Sequence, residues 1–510
     1  MKIFKRNLVR YADAGLPILY VDTLEDDRAE KIIRELCDEH ERDVIEWSLT
    51  GAWDFSGGQV LALPKAGLAE TLQLLIANDD LDNKAVILRD AHLSAGNNET
   101  FLDKAETVSA LKTIAQGITS GKYDCTVGII SPLVPLPKEL ENYTTIMELD
   151  PLTEENIAEI VKDFNEAQGI EQPTKDLLDK LVMRLKGLSH TEIQNVLSLA
   201  VSEDGMLTYS DLPHILEQKQ QLVKKSGILE MIPLKETMDD IGGLENLKNW
   251  LRRKADIFKQ INKAKDFGVD IPKGVLIAGM PGCGKSLTAK AAAKAFDVPL
   301  LRLDIGRLMG KYLGESESNM RRAIKLTEAS SPCVLWIDEL EKAFAGVGGH
   351  GGSEVTTRLF GSFLTWMQEK NSTAFVVATA NKIDSLPPEL LRKGRFDETF
   401  YVDLPNRNER KKILEIHIRK RRAQDLRGID LNKLVDKTDG YCGADLEGVV
   451  REAIESAFVR KKSELTTADI AEAIDNTHSL SEIMKDSIES MKKIYTDLKL
   501  KSASKNDWRD

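Results

Sequence analysis

The chain has 510 residues, more than a single hydrophobic core ordinarily serves, so two to four domains are expected. An apolar content of 42% with 30% charged residues excludes a disordered chain. A net charge of −12 excludes a chain-wide positive field for gripping nucleic acid. Local basic runs at 252–254 and 419–422 fall inside helical patterns and read as solvated helix faces. The five cysteines, Cys37, Cys125, Cys283, Cys333 and Cys442, form no C-x-x-C pair, which argues against zinc and suggests a reducing compartment. The N-terminus lacks a signal-peptide layout and no stretch is long enough to span a bilayer, so the cytosol, or an interior such as a plastid stroma, is expected.

In chain order, residues 1–220 carry four landmarks: Ile87-Leu88-Arg89-Asp90, Ser131, Leu136-Pro137-Lys138-Glu139-Leu140 and Gly187-Leu188-Ser189-His190-Thr191-Glu192-Ile193. A charged stretch with Gly227 and Pro233 follows, and 221–237 is predicted to be a linker. From Asp240 onward short apolar runs alternate with amphipathic helical patterns. Residues 274–278, 333–337 and 374–378 read as buried strands and 287–296 as an Ala-rich helix, which indicates an α/β domain with a mainly parallel sheet. Residues 408–474 turn wholly helical and suggest a smaller α-domain. Residues 480–498 read as one further helix, and 501–510 are polar and expected to fray.

Gly279-Met280-Pro281-Gly282-Cys283-Gly284-Lys285-Ser286, followed by Leu287, matches the P-loop pattern between a strand and a helix. Average residue usage gives about 0.02 chance matches in a chain of this length. The glycines let main-chain N–H groups turn toward phosphate, and the helix beginning at Lys285 aims its positive dipole end there. Lys285 is expected to neutralise the β- and γ-phosphates of ATP, and the Ser286 hydroxyl to bind Mg²⁺. The run Leu335-Trp336-Ile337-Asp338-Glu339 ends a strand with two acids, 53 residues beyond Lys285. Asp338 is expected to hold the metal through its water shell and Glu339 to act as general base toward the attacking water. Asn381, at the end of the next strand, can orient that water.

With what surrounds them, these motifs resemble the AAA clade of AAA+ ATPases, which includes FtsH, the proteasomal ATPases, katanin and spastin. The resemblance covers about 238–474. It implies an α/β P-loop AAA+ module, with an αβα sandwich at 238–405, a helical lid at 406–478 and a C-terminal helix and tail at 479–510. Asp240-Ile241-Gly242-Gly243-Leu244 is similar to the clade's adenine-contacting segment. Leu390-Leu391-Arg392-Lys393-Gly394-Arg395-Phe396-Asp397 is similar to its second region of homology, which implies that Arg392 and Arg395 are arginine fingers reaching a neighbouring subunit's γ-phosphate. Lys393 stands where the clade usually has Pro. His417 resembles the lid histidine that contacts nucleotide; an ordinary helix-face histidine is the alternative. The segment 438–446 resembles the one that closes over adenine, with Gly443-Ala444 as in the clade and Cys442 in place of the usual Ser. Lys311-Tyr312-Leu313 resembles a substrate-gripping pore loop, and the glycine-rich 346–352 could form a second. Phe360-Gly361-Ser362-Phe363-Leu364-Thr365-Trp366-Met367-Gln368-Glu369-Lys370, the run Leu480-Ser481-Glu482-Ile483-Met484-Lys485 and the long N-terminal half are most similar to the Ycf-type AAA proteins of chloroplast and cyanobacterial genomes.

The four N-terminal landmarks mirror Asp338, Asn381, 386–390 and 440–446 at offsets of 248, 250, 250 and 253 residues. A shared order and near-constant offset predict a degenerate AAA+-like α/β domain at 1–150 with a lid-like helical segment at 151–220. An unrelated α/β domain is the alternative. Tyr20-Val21-Asp22-Thr23-Leu24-Glu25-Asp26-Asp27 replaces the P-loop with a run that has four acids and no glycine, and Ala91 falls opposite Glu339, so no ATP chemistry is expected there. The expected function is a ring-forming ATPase, a homo-oligomer of hexameric type, that remodels a protein substrate or adaptor. A slow nucleotide-dependent switch, and a nucleic-acid remodeller disfavoured by charge, are the alternatives.

Overall fold

Short apolar runs become strands in both halves of the chain. The computed structural model describes residues 2–55, 61–63, 67–79, 81–96, 99–132, 136–202, 204–225, 227–308, 315–344, 354–392 and 394–505. Its contacts divide the chain into two units, Met1–Tyr209 and Ser210–Asp510.

The first unit contains β1 (Ile18–Asp22), β2 (Asp43–Ser48), β3 (Gly51–Phe55), β4 (Leu61–Ala62), β5 (Lys84–Arg89), a hairpin of β6 (Ser94–Gly96) and β7 (Glu99–Thr100), β8 (Cys125–Ser131) and β9 (Thr144–Glu148). Its sheet runs β4-β3-β2-β5-β8-β1-β9, parallel from β2 to β9. The second unit contains β10 (Leu229–Ile232), β11 (Gly274–Gly279), β12 (Leu300–Leu303), β13 (Cys333–Ile337), β14 (Ala374–Ala380), β15 (Glu398–Val402) and β16 (Lys501–Ser502), in the order β10-β12-β13-β14-β11-β15-β16. The strands β2-β5-β8-β1-β9 and β12-β13-β14-β11-β15 therefore follow one topology. In both, the first strand sits between the fourth and the fifth. A shared order of this kind supports the repeat that the landmark spacing predicts.

Alternation along the buried strands builds three layers in each unit. Leu276 and Ala278 of β11 face a core with Leu335, Val376, Phe363 and Met367, while Val275 and Ile277 face one with Leu251, Phe258, Ala292 and Phe296. In the first unit Ile18 and Tyr20 of β1 face one core and Leu19 and Val21 the other. A sheet buried on both faces needs apolar side chains at every strand position, which is why these strands read as unbroken apolar runs. The helices Arg407–Arg422, Leu431–Asp436, Gly443–Val459 and Thr467–Asp475 form a separate core around Leu414, Leu446, Val450 and Ile470. Capping boxes start three of the helices that shape the two lids: Ser189 with Glu192, Asn406 with Glu409, and Thr466 with Asp469.

Four expectations need correction. The predicted linker 221–237 contains the end of the helix Leu212–Lys225 and β10, which pairs antiparallel with β12. Val223, Leu229 and Met231 join the second unit's core, so that helix belongs there and not to the lid-like segment 151–220. The helix expected over 480–498 breaks at Met484 into Leu480–Ile483 and Lys485–Asp497. The tail does not fray at its start. Main-chain pairing asks nothing of side-chain polarity, and β16 adds to the β15 edge. Ala503 is fully buried, and its carbonyl accepts from the N–H groups of Asn246 and Leu247 at 3.0 and 3.1 Å. No helix among the described residues is long and apolar enough to cross a membrane.

Removing residues 501–510 leaves those two helix-start amides unpaired and uncovers the β15 edge. We expect a loss of about 2 kcal/mol or more. Calorimetry should register a melting temperature several degrees lower for the second unit, and an unchanged value would show that β16 contributes nothing.

Candidate functional site

The site forms where β11 turns into the helix Lys285–Phe296. Gly279 leaves the strand at φ 151°, and a Cβ there would lie 2.1 Å from the Val402 carbonyl, so no larger residue fits. Gly282 and Gly284 adopt left-handed φ values of 72° and 88°, which turn the loop's N–H groups inward ahead of the helix. Lys285 is only 6% exposed, and its ammonium donates to the carbonyls of Gly279 and Met280 at 2.8 and 2.7 Å. Burial pulls its pKa down to about 8, against the raising influence of Cys283 and of the carboxylates Glu341, Asp338 and Glu339.

The acids sit at the end of β13, as expected. Ser286 Oγ donates to Asp338 Oδ1 at 3.3 Å, and Thr379 Oγ1 donates to the same oxygen at 2.5 Å. Thr379 also accepts from the Glu339 N–H at 3.2 Å, so one β14 hydroxyl fixes both acids. Glu339 takes a left-handed φ of 52°, and Asn381 Nδ2 donates to its Oε1 at 3.3 Å. The Asn381 N–H donates to Glu341 Oε1 at 3.1 Å, while the buried Glu341 Oε2 has no hydrogen-bond partner. A hydroxyl and a carboxylate this close are hard oxygen donors of the kind Mg²⁺ takes, and the turned amides with the buried ammonium fit a polyphosphate.

The lid meets this loop directly. The Ala444 N–H donates to the Gly282 carbonyl at 3.0 Å. Glu409 Oε1 accepts from the Leu244 N–H at 2.9 Å, and Ile413 packs where a Cβ on Gly242 would lie. Gly242, Leu244, Cys283, Pro405, Ile413 and Gly443 enclose a cavity of only about 10 Å³. The base side is therefore closed in this conformation. The Asp240 carboxylate is held by Thr237 and, at 2.7 Å, by Lys420, which holds it below the usual carboxylate range, so its side chain serves as a cap and lid anchor. Ile241 gives its carbonyl to Lys248 Nζ at 3.1 Å. His417 is half-buried beside Glu447 and Arg421, and burial lowers its pKa. Leu287 packs partly buried against the helix-side core. Arg392 is exposed, while Arg395 Nη1 donates to the carbonyl of Glu389. Pro281 lies in the loop, partly exposed. Lys311, Tyr312 and Leu313, the glycine run 346–352 and Lys393 lie outside the described residues. Sequence reasoning missed Thr379, Glu341, Glu409 and Ile413; only the Asn406-x-x-Glu409 capping box was readable locally.

The first unit keeps the frame and inverts the charges. Three residues, 23–25, join β1 to the helix Asp26–Glu39, where five, 280–284, join β11 to its helix. After β5 the left-handed residue is Asp90, at φ 57°. Matching left-handed positions sets Asp90, and not Ala91, opposite Glu339, and sets Arg89 opposite Asp338. Arg89 pairs with Asp26 at 2.6 Å and Asp27 at 2.8 Å, so an ion pair stands where the second unit has Ser286 and Asp338. Ser189, like Cys442, caps the lid helix, and the next N–H, that of His190, donates to Glu25 Oε1 at 2.9 Å.

Comparison with known proteins agrees with this geometry. Residues 275–404 match the ATPase family associated with various cellular activities (AAA), and 428–472 match the AAA+ lid domain. Residues 4–149 match the SpoVK-like AAA ATPase N-terminal domain and 155–226 its second domain. An uncharacterized AAA domain-containing protein ycf46 from Pyropia yezoensis is 35% identical, covering 98% of this chain and 99% of its own length. Its counterpart in Guillardia theta is 36% identical, covering 96% and 94%. The ATP-dependent zinc metalloprotease FtsH 3 of Synechocystis is 33% identical over 51% of this chain and 42% of its own.

The lowered Lys285 pKa gives a signed expectation. Its ordinary value is 10.5 and its folded value about 8, so between those values the unfolded chain holds more protons and stability rises with pH. A polyphosphate reverses the imbalance by stabilising the ammonium. Nucleotide binding at pH 8.5 should therefore take up a proton, and affinity should fall, by at most about tenfold per pH unit, as pH rises above 8. Calorimetry in buffers of different ionisation enthalpy reads the uptake directly; none at pH 8.5 would contradict this account.

Proposed function

The chain belongs to the ycf46-type family of AAA domain-containing proteins, and on that premise we propose that it spends ATP hydrolysis, in a ring oligomer, on remodelling a protein partner. One observation supports this reading: Lys285, Ser286, Asp338, Glu339 and Asn381 gather around one glycine-rich loop, while Arg392 is exposed. Arg395 accompanies it in the same turn. An arginine supplied by a neighbour accelerates hydrolysis by about 10³–10⁵, so activity would depend on assembly. A sixfold ring is the form this reading takes.

Within one chain, the turned amides and Lys285 hold the phosphates. Ser286 would bind Mg²⁺ directly and Asp338 through its water shell, and the ion supplies charge neutralisation at the transferred phosphate. Glu339 receives the proton of the attacking water, and Asn381 orients it. Lys342, now 2.6 Å from Glu339, is exposed and can yield its place to that water. The acidic chain disfavours nucleic acid as substrate. A second reading, a slow switch whose first unit holds a regulatory partner, draws support from the Arg89 network. That network fills the first unit's would-be nucleotide position with its own ion pairs.

Glu339→Gln should bind one ATP per chain yet lose about 10²- to 10⁴-fold in turnover, retaining partners that mass spectrometry can identify. Parental turnover in that variant would refute the general-base assignment, and two bound nucleotides would refute the silence of the first unit. Tyr312→Ala separates the two functional readings. Remodelling by threading predicts ATPase retained with polypeptide processing lost, whereas unaltered processing favours the switch.

A further inference from the structure

Two thiols meet at the nucleotide site. Cys283 lies in the P-loop between the left-handed Gly282 and Gly284, partly exposed. Cys442 is the N-cap of the lid helix Gly443–Val459 and is buried, 2% exposed. Cys283 and Gly443, the residue after Cys442, line one small cavity. The lid is held there by the Ala444 N–H on the Gly282 carbonyl at 3.0 Å, and the Cys442 sulfur lies 2.7 Å from where a Cβ on Gly282 would stand. Cys37 and Cys125 lie in the other unit, and Cys333 is buried in β13. A contact between thiols of two different substructures, across the mouth of a site that must open, is a different matter from a buried structural cysteine.

We propose that Cys283 and Cys442 form a redox modification site, at which an oxidant of the peroxide class joins them in a disulfide that pins the lid to the P-loop and shuts out nucleotide. The inference rests on the ATP-site reading and adds its regulation.

The chemistry balances with hydrogen peroxide as the oxidant. The Cys283 thiol gives up its proton and its sulfur attacks one peroxide oxygen, the O–O bond breaks, and the departing hydroxide takes that proton and leaves as water. The sulfenic acid so formed is attacked by the Cys442 sulfur. The S–S bond forms, the S–O bond breaks, and the hydroxide leaves with the second thiol proton as water. Two thiols and one peroxide give one disulfide and two waters, and a dithiol reverses the bond by exchange. The order of attack follows from exposure: Cys283 is partly exposed and Cys442 is buried, so peroxide reaches Cys283 first. The effect on binding follows from position. Cys283 and Gly443, the neighbour of Cys442, both line the base-side cavity of about 10 Å³, room for one water at most. A purine enters only when lid and loop separate, and a covalent bond between residues 283 and 442 prevents that.

The test uses the full chain, reduced, then exposed to hydrogen peroxide with or without prior ATP. Free thiols are alkylated, linked peptides are mapped by mass spectrometry, and the affinity for a fluorescent ADP analogue is measured before and after. The expected result is a Cys283–Cys442 linked peptide, an affinity loss of tenfold or more that dithiothreitol restores, and protection by bound ATP. Cys442→Ser and Cys442→Ala should show a ratio of oxidised to reduced affinity near one, each variant's reduced binding reporting that it is folded. Peroxide treatment that leaves the two cysteines unlinked, or links them with affinity unchanged, overturns the inference. Absence of nucleotide binding by the reduced wild-type chain would sink the ATP-site reading itself, a separable failure.

Discussion

A buried ammonium with no anion beside it governs this structure. Lys285 is almost wholly removed from water, and two main-chain carbonyls of its own loop are its closest company. Carbonyl dipoles offset only part of the lost hydration, which is why burial dominates its pKa. The loop around it is glycine-rich for a steric reason at Gly279 and a conformational one at Gly282 and Gly284. The sheet beneath positions the loop: β11 lies between β14 and β15, and every one of its residues is buried. The acids that could neutralise Lys285 are held off by their own partners, Asp338 by Thr379 and Ser286, and Glu339 by Asn381 and Lys342. The site is thus preorganised for a ligand that is negative at one end and presents oxygens for a metal between.

The first unit shows the same frame with that tension removed. Its loop between strand and helix is two residues shorter and has no glycine. Acids begin its helix, Arg89 takes the metal-side position, and the two close on each other. Arg89 is pushed further up from an already high pKa by Asp26, Glu30 and Glu46, against its burial, so the network is internally satisfied. The lid-like helix still approaches the loop, but through the Glu25 carboxylate in place of a loop carbonyl. Where the second unit has the Ser286 hydroxyl and the Asp338 carboxylate, the first has the ion pairs of Arg89.

Legibility in the sequence follows the range over which each constraint acts. Phosphate binding demands residue types at fixed local spacing, so Gly279 through Ser286 could be read directly, as could the acids ending a buried strand. Topology in the first unit was legible only through offsets, and those offsets misplaced Asp90 by one position because strand ends, not spacing, set the register. Thr379 was invisible because its role depends on β14 lying beside β13, a neighbour relation that sequence does not state. Glu409 reaches Leu244 across 165 residues. β10 and β16 were missed for another reason: at four and two residues, each adds to a sheet edge by main-chain bonds and needs little apolar signature.

The lid meets the P-loop side of the second unit through three contacts. In the present conformation it rests on the P-loop through Ala444 and Gly282, on the loop before Glu245 through Glu409 and Leu244, and on Asp240 through Lys420. The first two join the lid to backbone of the P-loop and of the segment before Glu245, and the third joins it to the Asp240 carboxylate. A base entering between Gly242, Ile413 and Gly443 must displace Ile413 from the space its neighbour's missing Cβ leaves, and so must rotate the helix that carries Glu409, His417 and Lys420. That helix shares one hydrophobic core, around Leu414 and Leu446, with the rest of the lid. Ligand binding at one end and lid position at the other are then two readings of one equilibrium, coupled by the contacts the base has to break.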